Sequence, residues 1–409
     1  MKFENGSFRM AALVLGLGLY SSGQAQEPSN EELARRIEAL AAELENLEMA
    51  STGVKADESV FGLGPAASKV YRVDHGVSIG GYGEFLYTRY ADEKENGDEA
   101  GKTDIFDMYR AIIYLGYKFS DEWVLNSEIE FEHANEAAVE FLTIDYLRSP
   151  ELNFRSGLLL LPVGLVNELH EPTVFIGAKR SDTEGKIIPS TWREMGAGIF
   201  GDVGDFSYRS YLVTATDGMG FGSGGLRGGR MKGSKALAED FALTARVDYT
   251  GRVGLLAGGS IYTGQVDHGQ LGDESASVFL SEAHVDWRQG PLRLRGLYAA
   301  AQVDGADLLN AENGLEGSSS IGESMSGMYV EASYDVGGLS PYLRWETCDT
   351  QETVPDGYDS SDGTATTSLT LGVAWQPVDE VIFKVDYKDA SNGAETGVDE
   401  IHASAGYIF

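Results

Sequence analysis

Along most of the chain from Val77 to Phe409, apolar and polar residues alternate with a period of two, the spacing of a strand with one apolar and one polar face. In Val381-Ile382-Phe383-Lys384-Val385-Asp386-Tyr387-Lys388, one face carries Val, Phe, Val and Tyr and the other Ile, Lys, Asp and Lys. Phe241–Tyr249 and Leu125–Glu132 repeat the pattern. The connections between these segments sort by length. Short ones fall at Ser120-Asp121, Ser149-Pro150, Val203-Gly204, Gly251-Arg252, Gly290-Pro291, Gly337-Gly338 and Pro377-Val378. Mostly longer polar loops lie between them, at 91–103, 134–137, 162–192, 217–238, 265–276, 304–324, 349–366 and 390–397. Seven turns and eight loops make fifteen connections, which predicts about sixteen strands. An even strand number with turns short on one side and long on the other is the pattern of a transmembrane antiparallel β-barrel. A soluble sandwich or propeller would also alternate, but its connections would not sort by parity. Nor would its outward faces carry aromatics near strand ends as Tyr87, Tyr249, Tyr334, Trp345, Trp375 and Tyr387 do. The last segment ends Tyr407-Ile408-Phe409, with a C-terminal aromatic residue.

The first 75 residues read differently. Lys2 and Arg9 precede an apolar run from Met10 to Tyr20 and the small-residue stretch Gly23-Gln24-Ala25, so 1–25 reads as a cleaved signal peptide. The run is too short to cross a bilayer as a helix, which needs about 20 apolar residues. Within 26–50, Leu33, Ile37, Leu40, Leu44 and Leu47 repeat at heptad spacing and predict a short coiled-coil helix on the periplasmic side. Gly62, Gly64 and Pro65 make 51–75 read as a linker, leaving 76–409 as the barrel domain.

Composition narrows the function. The formal charge of −33 disfavours nucleic acid, whose phosphates an acidic surface repels. Cys348 is the single cysteine, so no disulfide forms within the chain. His75, His133, His170, His268, His284 and His402 are scattered without ligand spacing, so the sequence assigns no metal, cofactor or catalytic group. The alternatives to a channel are an outer-membrane barrel hydrolase and a structural or adhesive barrel with a plugged lumen.

In hydrocarbon every backbone group must be paired, so the sheet must close, and about sixteen closed strands enclose an aqueous lumen. The alternation puts Glu128, Glu130 and Glu132 on the lumen face of the third strand and Arg288, Arg293 and Arg295 on the tenth and eleventh, opposite. Arg110, Arg155, Arg209, Arg246, Arg344, Lys384 and Lys388 are further inward positions. This arrangement predicts a field across the lumen, acidic on one wall and basic on the other. The 162–192 loop contains the apolar pieces Pro162–Val166 and Val174–Ile176, which a solvent-exposed loop does not need. Folding inward buries them and brings Lys179, Arg180, Lys186 and Arg193 to a constriction as an anion-attracting cluster.

These residues also carry a resemblance. Ile79-Gly80-Gly81-Tyr82-Gly83-Glu84, Ser127–His133, Leu159–Gly164, Ile187–Glu194 and the terminal Tyr407-Ile408-Phe409 resemble the phosphate-selective porin O and P superfamily. The resemblance implies a sixteen-stranded trimeric barrel with an inward third loop, set among outer-membrane lipid and lipopolysaccharide. It also implies passive diffusion of small hydrophilic solutes with a weak preference for anions such as phosphate. The chain departs from the family's dense lumen arginines in its competing row Glu128, Glu130 and Glu132.

Overall fold

In the computed structural model, which describes residues 59–409, the alternating segments form sixteen antiparallel strands in one closed barrel. They are β1 (Gly76–Tyr90), β2 (Ile105–Lys118), β3 (Trp123–Glu132), β4 (Glu136–Ser149), β5 (Leu152–Leu160), β6 (Arg193–Val203), β7 (Phe206–Thr214) and β8 (Phe241–Arg252). The second half comprises β9 (Leu255–Gln265), β10 (Ser277–Gln289), β11 (Leu292–Asp304), β12 (Ser324–Tyr334), β13 (Leu339–Thr353), β14 (Thr366–Val378), β15 (Val381–Asn392) and β16 (Glu400–Ile408). Each strand pairs with its sequence neighbours, and β16 returns to β1. The connections fall by parity as the sequence predicts, with a short helix, α1 (Ala306–Asn313), in the loop after β11. The segments read as signal peptide and coiled coil, 1–25 and 26–50, lie outside the described residues.

The closing seam shows why the chain ends in aromatics. Gly81 exchanges backbone hydrogen bonds with Phe409, its N–H donating at 3.0 Å and its carbonyl accepting at 2.9 Å. A Cβ at Gly81 would meet the Phe409 ring at 2.7 Å, and one at Gly83 the Tyr407 ring at 2.6 Å. The terminal rings thus lie over bare backbone on the first strand. Around the barrel the outward positions are apolar and exposed, among them Ile79, Phe131, Leu142, Val247, Phe279, Val330, Leu371 and Val385. So continuous an apolar surface needs lipid, not water, around it.

The inward face corrects the sequence reading. A polar face lining water along every strand was expected, but Tyr262, Val278, Leu280, Leu297, Ala299 and Tyr329 form an apolar inner wall over β9–β12. Leu161, Val163, Leu165, Ile187, Ile188 and Trp192 of the third outer loop bury against it in one cluster. Each such aliphatic side chain contributes about 1.5–3 kcal/mol when fully buried.

The supposed linker also differs. Its described part, 59–75, enters the barrel instead of tethering it, and Leu63, Ala66, Ala67 and Val70 are buried. Room for it comes from the wall: a Cβ on Gly116 would strike Val70 at 2.4 Å. Asn126 donates to the Ala67 carbonyl at 2.9 Å, and the Tyr71 hydroxyl donates to Asp145 at 2.7 Å. The Phe61 ring packs edge-on against both Tyr71 and Phe200.

Candidate functional site

The 161–192 loop crosses the bore, and hydrogen bonds hold it at its base and its far end. At the base, the Asn167 amide donates to the carbonyls of Leu161 (2.7 Å) and Trp192 (2.9 Å), while its oxygen accepts from the Trp192 N–H (2.6 Å). Mid-loop, the Glu184 carboxylate accepts from the N–H groups of Leu165 (2.7 Å) and Val166 (2.8 Å) and from the Tyr329 hydroxyl (3.1 Å). At the far side, Ala178 N–H donates to Asp386 (2.7 Å), Lys384 donates to the Gly177 carbonyl (3.0 Å), and Asp182 N–H donates to Glu346 (2.7 Å). The loop starts at β5, and its far contacts begin at β13, eight places away in a ring of sixteen. It therefore spans the full width.

The four predicted constriction residues all lie on or beside this loop, but not as one cluster. Lys179 pairs with Glu400 (2.7 Å) and Lys186 with Asp182 (3.2 Å), against the β15–β16 side. Arg193 pairs with Glu140 (2.9 Å), and Arg180 donates to the Thr191 hydroxyl (3.1 Å). The basic cluster that does form joins Arg180 and Arg193 to Arg227, Arg230 and Lys232 of the 215–240 loop. Burial, then the neighbouring Arg227 and Arg193, push Arg230 down to about 10. Arg230 donates to the carbonyls of Pro189 (3.0 Å) and Thr191 (2.6 Å), and Arg227 to that of Ser190. Arg180 keeps Nε and Nη2 buried with no hydrogen-bond partner. Arg193, Arg227, Arg230 and Lys232 line a crevice of about 150 Å³ whose facing wall is Glu130, Glu132, Glu136 and Glu140.

The predicted wall-to-wall field gives way to local pairs. Arg110 meets Glu84 (2.7 Å), Arg155 Asp145 (2.8 Å), and Arg209 and Arg246 share Asp248 (2.8 Å each). Asp286 collects Arg293 (2.6 Å), Arg295 (3.4 Å) and Arg288 (4.0 Å), and Arg344 lies between Glu331 and Glu346 (3.6 Å each). Lys388 pairs with Asp182 (2.9 Å), and Lys384 sits 3.9 Å over the Phe175 ring. The physical reason is desolvation: a charge inside a filled barrel needs a partner within contact distance. Beyond the loop, on the short-turn side, a cavity of about 610 Å³ is lined by Arg252, Arg288, Arg293 and Arg295 with Asp286 and Asp379.

Sequence reasoning missed the acids and the histidine of the loop itself. His170 Nε2 lies 3.0 Å from Glu128 and 3.2 Å from Glu140. Burial alone would lower its pKa, but those two carboxylates raise it to about 10. Burial raises Glu171 to about 7, opposed by the N–H groups of Ala66 and Ala67 that donate to it, each at 3.0 Å. Burial likewise pushes Glu168 up, opposed by Arg209 and Arg246. The available signal was Glu168-Leu169-His170-Glu171, a polar run between apolar pieces already expected to lie inside.

A closed sixteen-strand barrel, apolar outside and crossed by its third loop, has the fold of porins. Solved structures share that fold. OmpF of Salmonella typhi, in a complex with daunomycin, superposes with a TM-score of 0.55 at 11% identity, over 82% of this chain and 98% of that one. The anion-selective porin from Comamonas acidovorans gives 0.55 at 12% identity, over 81% and 99%. The outer membrane channel DcaP of Acinetobacter baumannii gives 0.53 at 11%, over 81% and 97%. No family model matches the chain. A protein of Aquifex aeolicus (strain VF5), described as uncharacterized, is 36% identical over 353 residues, 80% of this chain and 78% of that one. The chain belongs to the same family as that Aquifex protein.

Proposed function

We propose that this protein is an outer-membrane porin for passive diffusion of small hydrophilic solutes, narrowed by its third loop and weakly selective for anions such as phosphate. The observation that carries the reading is the cavity on the short-turn side, lined by Arg252, Arg288, Arg293 and Arg295 together with Asp286 and Asp379. The basic cluster around Arg180 at the other mouth supports it. Acidic outer-loop residues such as Asp92, Glu93, Glu95, Asp98 and Glu99 act mostly beyond a Debye length of about 8 Å and are screened at the narrowest point. On this reading residues 1–25 direct export, 26–50 form a periplasmic heptad helix, the barrels assemble as trimers in lipid and lipopolysaccharide, and the chain stands with the phosphate-selective porin O and P superfamily.

The test is reconstitution in planar bilayers under a potassium chloride gradient. The reversal potential should report anion preference, and neutralising Arg180, Arg227 and Arg230 to Gln together should shift it toward cations. A wild-type reversal potential on the cation side that the triple variant leaves unmoved would refute anion selection. The dry cluster of loop residues and the buried side chains of Leu63, Ala66, Ala67 and Val70 favour one second reading, a structural barrel with a plugged lumen. Complete absence of conductance selects it.

A further inference from the structure

Glu128 on β3, Glu140 on β4 and His170 on the third loop bring three ligand atoms within 4.8 Å of one another. The geometry points to a divalent transition-metal site at these three residues, where one ion of the zinc class ties the loop to the β3–β4 wall.

The spacing fits coordination. His170 Nε2 lies 3.0 Å and 3.2 Å from the two carboxylate oxygens. Two donors at about 2.0–2.1 Å from a tetrahedral zinc are roughly 3.4 Å apart, so each His170–carboxylate pair takes the ion with a shift of a few tenths of an ångström, and all three ligand atoms lie within 4.8 Å of one another. The imidazole is already oriented for it. Nδ1 lies 2.9 Å from the Asn167 carbonyl and donates to it, which leaves Nε2 aimed at the carboxylates, as in metal sites where a carbonyl fixes the ligating tautomer. Asn167 is itself held by the clasp at the loop base. On the other side, Arg193 holds the second oxygen of Glu140 at 2.9 Å.

A further observation points to a missing ligand. All three side chains are at most 3% exposed, and Glu128 Oε2 is buried with no hydrogen-bond partner. A bound ion satisfies that oxygen by bidentate ligation. The donor set selects the class: one imidazole and two carboxylates suit zinc, manganese or iron(II), whereas calcium requires six to eight oxygens. The crevice at the outer mouth reaches Glu140 past Glu130, Glu132 and Glu136 on one wall, with Arg193, Arg227, Arg230 and Lys232 on the other. The competing occupant is a hydrogen on Nε2, which would make the same groups a buried ion-paired triad. The inference stands apart from the channel reading, because a plugged barrel would hold the ion equally well.

The experiment uses the folded full-length barrel in detergent, with Cys348→Ser to remove the one thiol, stripped with EDTA and titrated with zinc chloride by calorimetry. One ion per chain is expected, with affinity falling at least tenfold in His170→Gln and in Glu128→Gln and unchanged in Glu312→Gln, an exposed position on α1 away from the site. Retention of the heat-modifiable folded band shows which variants have folded, and Glu128→Gln serves if His170→Gln does not. Anomalous diffraction at the zinc edge should place the ion between the three side chains. No binding, binding equal in wild type and in the folded ligand variants, or anomalous density elsewhere overturns the site.

Discussion

Replacing Trp192 with alanine tests whether the third loop is held as one unit by its packing. Trp192 is fully buried, with its ring 4.4 Å from that of Tyr262 on the inner wall. Truncating such a residue costs about 3–5 kcal/mol, with the low end applying where neighbours collapse into the space. At 1.4 kcal/mol per tenfold, the detached population of the loop rises roughly a hundredfold to a few thousandfold. The chain supplies its own reporter. Cys348 is 3% exposed, and a Cβ on Gly327 would meet Cys348, Ile187 and Thr183, so the loop's 183–187 turn covers the thiol. When closing is faster than reaction, the labelling rate by a maleimide follows the open population. The rate should rise by the factor above in Trp192→Ala. Leu309→Ala, in α1 and off the loop, should change it no more than a few-fold. A Trp192→Ala rate within threefold of wild type, in protein that keeps its folded band, would show that the loop does not open as a unit and that its packing is not what closes the bore.

Removing residues 59–72 should raise single-channel conductance, since that segment fills the β1–β7 side of the bore; unchanged conductance would mean solutes pass elsewhere. Gly81→Val should cost more than about 1–3 kcal/mol, because its Cβ meets the Ile112 carbonyl at 2.3 Å as well as the Phe409 ring, and loss of the heat-resistant folded band checks it. Asp182 gives a pH prediction: burial opposes its charge, but Lys388 and Lys186 hold its carboxyl well below the usual range. A lowered pKa means this anchor contributes fully above the ordinary aspartate value, near 4, and is lost as pH falls through the lowered one. Pepsin should therefore begin to cut within 162–192 only below about pH 4; cutting that begins at pH 6 would assign the anchoring to other groups.

The barrel was legible because a strand's two faces differ and its turns sort by length. The inward loop was legible from Val163 to Val166 and Val174 to Ile176, which are apolar without belonging to a strand. The apolar inner wall was not. In Leu297-Tyr298-Ala299-Ala300-Ala301 both faces are apolar, so no alternation marks which one meets water. Segment 59–75 reads as a tether because of Gly62, Gly64 and Pro65, and the bare backbone of Gly116 across from Val70 shows that it fits inside. His170 and Glu128 are 42 positions apart, and no local spacing joins them. Pairing among the charges was invisible: Arg209 and Arg246 meet at Asp248 only through strand register.

The loop's far anchors also fix an order of assembly. Ala178 bonds Asp386 across 208 residues of sequence, and Lys179 pairs with Glu400 across 221. Contacts so distant along the chain form only after the loop-closure entropy of everything between has been met, and here their partners lie on strands that complete the ring. The far half of the loop can therefore be fixed only once β15 and β16 stand opposite it.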